Sequence, residues 1–296
     1  MTTTTSPLPA RSALSHALRG AMQWRIWLLW IVATGMCALI GALPVWNWLG
    51  GVLDYSLLGG AIATGKAPPL LIEAMMSRDT PMAVLVGGIK FATVLMLLIS
   101  PMLAGATIAA SRSRATLGFG DLLRGGIAEY GPMLRMLIWS VIPLGIAVMA
   151  ITVIMGANES AHENAVLATD LDTGRNIAFI VGGILWVLAH ASLEAGRGWL
   201  AADGRLRSAL KAWWRGFKLL CRRPVAVLAV YLVTTVAGLL LALVMVALRE
   251  HLDPSTGIGF VLAMLAGFGI TAALAWSRIG RLFGMQSLAQ DMHARR

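Results

Sequence analysis

Charged residues are scarce in this chain: 13% of 296 residues, against about a quarter in a soluble domain. Such a sequence cannot clothe an ordinary water-facing surface. Acids are scarcer than bases, with 14 Asp and Glu against 24 Lys and Arg. There are two cysteines, Cys37 in an apolar block and Cys221 in a basic stretch. The topology drawn below puts them at different depths, which argues against a disulfide, and they offer no metal spacing. A Ser-centred nucleophile elbow, catalytically spaced carboxylates and a CxxC pair are all missing, so the sequence gives little support to an enzyme. No cofactor or metal is expected.

Apolar residues are abundant instead, at 58%. They come in long blocks with no polar stripe, and a helix apolar all round belongs in lipid or in a large core. Several blocks reach the roughly 20 residues needed to cross a bilayer. The fold expected is all-α: a polytopic integral membrane bundle of six transmembrane helices with amphipathic interfacial elbow helices. The spans fall at about 26–43, 85–110, 133–155, 176–195, 225–247 and 257–277. The first is expected to end near Pro44. Its polar lead of 25 residues is long for a signal peptide, so an uncleaved anchor is expected. LLIEAMM (70–76) reads as a short surface helix. Pro101 and Pro143 stand inside spans, where they kink.

The net charge of +10 would suggest nucleic acid. Its placement says otherwise. With the N-terminus inside, the inner segments 1–25, 111–135, 194–224 and 278–296 hold 19 of the 24 basic residues and five of the 14 acids. That bias orients the protein N-in and C-in and accounts for the charge without nucleic acid.

Residues 1–10 read as a disordered tail and 281–296 as a cytoplasmic tail around a transmembrane domain of 11–280. Within it the inner segments share a pattern. Ser12-Ala13-Leu14 with Arg19-Gly20 matches Ser208-Ala209-Leu210 with Arg215-Gly216 at the same spacing. Phe119 and Arg124-Gly125 align with them. Each is followed by a span, an outer loop and a return span, which divides the domain into repeats at 11–110, 116–198 and 206–280.

In 11–25 the apolar face is Leu14, Ala17, Leu18, Ala21 and Met22. In the third copy it is Leu206, Ala209, Leu210, Trp213, Phe217 and Leu220, opposite Arg207, Lys211, Arg215, Lys218 and Arg222. Such helices lie in the inner leaflet surface, with the apolar face in the acyl boundary and those five cations meeting anionic lipid headgroups. A partner membrane protein or a second copy could use the same face.

The order of elbow helices and hairpins, the SPMLAG of 100–105 leading into a basic loop, and the run EAGR…RSAL…RRP resemble uncharacterised six-span inner-membrane proteins of Gram-negative bacteria. They are also similar to the membrane domain found ahead of some glycerophosphodiester phosphodiesterases. The resemblance implies a multi-pass protein of the inner membrane and brings no functional residues with it.

Three constellations could carry chemistry. Gly60 to Lys66 fits GxxxxGK, but Ala67-Pro68-Pro69 follows where a phosphate loop needs Ser or Thr. Glu159, His162, Glu163, Asp170 and Asp172 crowd one outer loop without a complete zinc or calcium pattern. His190 and Glu194 lie one helical turn apart at the inner rim of the fourth span, with Arg197 in reach. Ionisable residues in spans are functional candidates, so this rim is the one tentative site. The favoured function is a non-enzymatic structural or accessory component of an envelope or transport system. A transporter of a small or lipid-like solute is the alternative, and a membrane-embedded enzyme the third reading.

Overall fold

The computed structural model describes residues 8–54, 56, 57, 59, 62, 68–113, 115–162, 172–253 and 256–295. Most of the GxxxxGK segment (all but Ile62) and the acidic-loop residues 163–171 lie outside the described residues.

Among the described residues the chain is mostly helical, with no strand. Ten helices follow in order: α1 (Ala10–Gly20), α2 (Trp24–Leu53), α3 (Pro68–Met76), α4 (Met82–Arg112), α5 (Phe119–Ala128), α6 (Tyr130–Ala161), α7 (Asp172–Ala202), α8 (Ala209–Arg222), α9 (Pro224–Glu250) and α10 (Gly257–Ala294). Six of them, α2, α4, α6, α7, α9 and α10, are long and apolar enough to cross a membrane. The physical reason is plain: without water, each backbone N–H and C=O must be bonded within the segment, and a helix does that. Large apolar side chains such as Leu39, Phe91, Ile142 and Leu240 remain uncovered by protein. In water they would be a liability; against acyl chains they are at no disadvantage.

Pro44 does not end the first span. It stands inside α2, which runs on to Leu53. A proline costs an interior helix one hydrogen bond, but unwinding in lipid would strip several more, so the helix continues. Gly88 gives the ring room: a Cβ there would lie 2.7 Å from Pro44 Cγ.

The shortest spanning helix has 27 residues and the longest 38. At 1.5 Å per residue those are ~40 and ~57 Å, against ~30 Å of hydrocarbon. The excess in α10 is the segment after Arg278, which continues the helix as far as Ala294. This extension is packed into the protein: Phe283, Met285, Leu288 and Ala289 are buried.

The chain divides into two compact units. The first comprises residues 1–21, 104–234 and 279–296; the second comprises 22–103 and 235–278. In the second unit, Arg278 lies over the ring of the buried Trp30, 5.4 Å from its centroid, and Gly41 sits against Ala92.

The first unit contains the three short elbow helices, α1, α5 and α8. Two clusters of buried residues are found in its core among the described residues. One joins Ala13, Trp199, Leu219, Val227, Val230, Met285 and Leu288. The other joins Ile108, Met133, Met136, Leu193, Leu200, Ala212 and Leu282.

The elbows dock largely through small residues. Of the apolar stripes expected to face the acyl chains, Leu18, Met22, Leu210 and Phe217 are exposed as expected, whereas Ala17, Ala21, Ala209 and Leu220 are buried against protein. In α1, Ala13, Ala17 and Gly20 are buried, whereas Leu18 and Met22 are exposed. In α5, Leu122 and Gly126 are buried, and Phe119, Leu123 and Ile127 are exposed. In α8, Ala209, Ala212, Gly216, Leu219 and Leu220 are buried, while Leu210, Trp214 and Phe217 are exposed. Period alone cannot say which side of an apolar stripe meets protein and which meets lipid. Small side chains let backbones approach, so they take the protein side.

The glycines of the three Arg-Gly pairs occupy equivalent places. A Cβ on Gly125 of α5 would strike Ala109 of α4; one on Gly216 of α8 would strike Gly196 of α7; one on Gly20 of α1 would strike Phe283 of α10. Each partner helix also offers a glycine of its own. A Cβ on Gly105 would lie 2.9 Å from the carbonyl oxygen of Gly126, and one on Gly196 3.0 Å from the Cα of Trp213. The serines of the Ser-Ala-Leu matches are not equivalent. Ser208 is the N-cap of α8, accepting from the Lys211 backbone N–H, whereas Ser12 lies within α1.

Candidate functional site

α7 places His190, Glu194 and Arg197 on one side of a helix, as the three- and four-residue spacing requires. Glu194 is eight residues from the end at Ala202, ~12 Å along the axis. Its carboxylate accepts a hydrogen bond from Arg197 Nη1 at 2.7 Å. His190 Nε2 stands 3.9 Å from the same oxygen. The expected trio is therefore together.

Two further residues complete it. Arg281 of α10 brings its Nε to 3.9 Å from Glu194 Oε1. Arg281 and Glu194 are the charged residues buried deepest among those described, at 7% and 5% exposed. Tyr231 of α9 lies under the Arg281 guanidinium, 5.6 Å from its ring centroid, and meets the His190 ring edge-on at 5.5 Å. Three helices thus converge on one carboxylate. Neither Arg281 nor Tyr231 had a local signal in the sequence. The arginine looked like one more basic residue after the sixth span, and the tyrosine like one more aromatic within the fifth.

Two guanidiniums beside one carboxylate give the cluster a net positive balance. A cation arriving there would be repelled more than attracted. What the geometry does supply is a buried ion pair between α7 and α10. Among the described residues no three His, Cys, Asp or Glu side chains converge.

Next to this tie the α8 elbow is latched to α7. Trp213 Nε1 donates to Ser192 Oγ at 3.0 Å, and Ser192 Oγ donates to the Ala189 carbonyl. Arg215 pairs with Asp203 at 3.0 Å and lies over the buried Trp199 ring, 5.4 Å from its centroid. Burial by itself would push the Asp203 carboxyl up, but hydrogen bonds from Arg215 and the Arg205 backbone outweigh it and hold the group below its ordinary value.

Side chains also close the ends of neighbouring helices, where the last carbonyls have no intrahelical donor. Arg112 donates to the Leu200 and Ala201 carbonyls of α7 and pairs with Glu129 at 2.8 Å. Gln286 donates to the Ser111 carbonyl of α4, and Arg207 to the Ala128 carbonyl of α5. A cation at a helix C-terminus also meets the negative end of its dipole. Arg223 pairs with Asp291 at 2.7 Å and donates to the Leu8 carbonyl, while the Leu8 N–H donates to Asp291. Leu8 and Pro9, assigned by sequence to a disordered tail, are held in place by this clasp.

The five cations expected at lipid headgroups therefore have different environments. Arg207 and Arg215 bond to the protein. Lys211, Lys218 and Arg222 are exposed. Comparison with known proteins gives no match to any family model, to any curated protein or to any solved structure.

Proposed function

We propose that this chain is a bacterial inner-membrane protein with both termini in the cytoplasm. It serves as a non-enzymatic structural or accessory component of an envelope or transport system. Three copies of an elbow helix followed by a transmembrane hairpin make up its frame. The repeat is supported by the matching glycine contacts of Gly20, Gly125 and Gly216, each against the return helix of another copy. The orientation is supported by the gathering of 19 basic residues on one side.

The observation that carries the functional reading is the division of labour on the elbows. Each uses small residues to dock and leaves larger apolar residues uncovered. A helix so built holds a fixed frame on one side and offers a membrane-level surface on the other. The buried Glu194, meanwhile, pairs with Arg197 of its own helix and with Arg281 of α10.

Crosslinking in intact membranes followed by purification in mild detergent tests this. The accessory reading expects a discrete partner in fixed stoichiometry, crosslinked through residues on α1, α5 or α8, and no solute flux from the purified protein in liposomes. A monodisperse protein that moves a solute without a partner would favour transport and overturn it.

A further inference from the structure

The α8 helix carries three faces, not two. Taking 3.6 residues per turn, the buried Ala212, Gly216 and Leu219 define the protein side. Lys211, Lys218 and Arg222, spaced by seven and four residues, fall within ~40° of each other on a second side. Leu210, Trp214 and Phe217 form a third, ~90° from the cations, and all three are exposed. Trp214 and Phe217 stack at 5.7 Å and 15°, and Lys218 Nζ is 5.3 Å from the centroid of the Trp214 ring. Among the described residues none of the three cations is in an ion pair, unlike Arg215 and Arg223.

We infer that Lys211, Lys218 and Arg222 form a docking surface for the headgroups of anionic phospholipid, whose acyl chains lie against Leu210, Trp214 and Phe217. The adjacency of the two stripes selects the occupant. A soluble phosphate would use the cations and leave the aromatic stripe in water. A nucleic acid would do the same. A phospholipid satisfies both, with charge at headgroup level and apolar surface just beneath. The proposal rests on the membrane reading above and sharpens it: two of the five cations assigned to lipid, Arg207 and Arg215, serve the fold instead.

The test uses the purified full-length protein in detergent, with phosphatidylglycerol or phosphatidylcholine added as mixed micelles. Melting temperature and bound lipid by native mass spectrometry are the readouts. Wild type should gain stability from phosphatidylglycerol over phosphatidylcholine, and the gain should shrink with salt. The triple variant K211Q/K218Q/R222Q should melt normally in phosphatidylcholine yet bind phosphatidylglycerol on the order of a hundredfold more weakly. K211R/K218R should keep the wild-type response. A triple variant that retains the gain overturns the proposal, as does a gain reproduced by inorganic phosphate alone. Should the triple variant not fold, a salt-insensitive wild-type gain overturns it. The accessory role fails separately, on the absence of a crosslinked partner.

Discussion

Gly216 and Gly196 meet backbone to backbone. A Cβ on Gly216 would collide with the Gly196 backbone, and that of Gly196 with the backbone of Trp213. Atoms of this kind cannot rotate aside as a side-chain tip could. Gly216→Ala gains up to ~1 kcal/mol in helix propensity but forces α8 off α7 at an overpacking cost of about 1–3 kcal/mol. A lower melting temperature in detergent is expected. Gly183→Ala, where a Cβ meets nothing within 4 Å, serves as the control and should be neutral or slightly stabilising. Equal behaviour of the two variants would refute the close docking.

Glu194 answers two guanidiniums. Glu194→Gln leaves Arg197 and the buried Arg281 facing each other without their carboxylate. Removing one partner from a buried pair costs about 3–5 kcal/mol; the partial exposure of Arg197 puts this case at the lower end. Denaturant-induced unfolding in mixed micelles should show it. A variant as stable as wild type would mean that the tie contributes little, and would return the cluster to consideration as a functional site.

Acid should loosen the α8 latch. The Asp203 carboxyl titrates below its ordinary value of 3.8 when folded. A depressed folded pKa means stability that is present above the unfolded value and lost as pH falls through the folded one. Between neutral pH and about 5 the latch should therefore hold. Below the ordinary carboxylate value wild type should lose melting temperature faster than Asp203→Asn, with the two curves converging at the acid end. Parallel curves would show that the pair contributes nothing to the fold.

Orientation has a direct measurement. A reporter that needs the periplasm, fused after Arg296, should be inactive, and the same reporter placed between α6 and α7 should be active. The reverse pattern would invert the topology and separate the basic elbows from the cytoplasm.

The six spans were legible because hydrophobicity in long blocks is a local property. So were the elbows' existence and the proximity of His190, Glu194 and Arg197, all set by spacing along one helix. Pro44 misled because its helix-breaking rule comes from water, and lipid reverses the balance. The docking faces were legible only in part: Leu18, Leu210 and Phe217 do stay uncovered by protein, but Ala17 and Ala209 of the same apolar stripes turn inward, because small residues let helices approach. Arg281 and Tyr231 were invisible because nothing local joins α10 and α9 to Glu194. Only the packed arrangement does, and the one hint was a basic residue continuing an apolar helix past its expected end.

The clasp of Leu8, Arg223 and Asp291 has a practical corollary for anyone handling the molecule. Residues drawn from near the two ends of the sequence and from its middle share one knot of three interactions, so a change at either end is felt at both. Removing residues 1–9 takes away the carbonyl that Arg223 holds and the N–H that Asp291 holds, and leaves the Arg223–Asp291 pair as the one remaining link of the knot. A tag placed immediately before Pro9 is, mechanically, a tag on the far end as well.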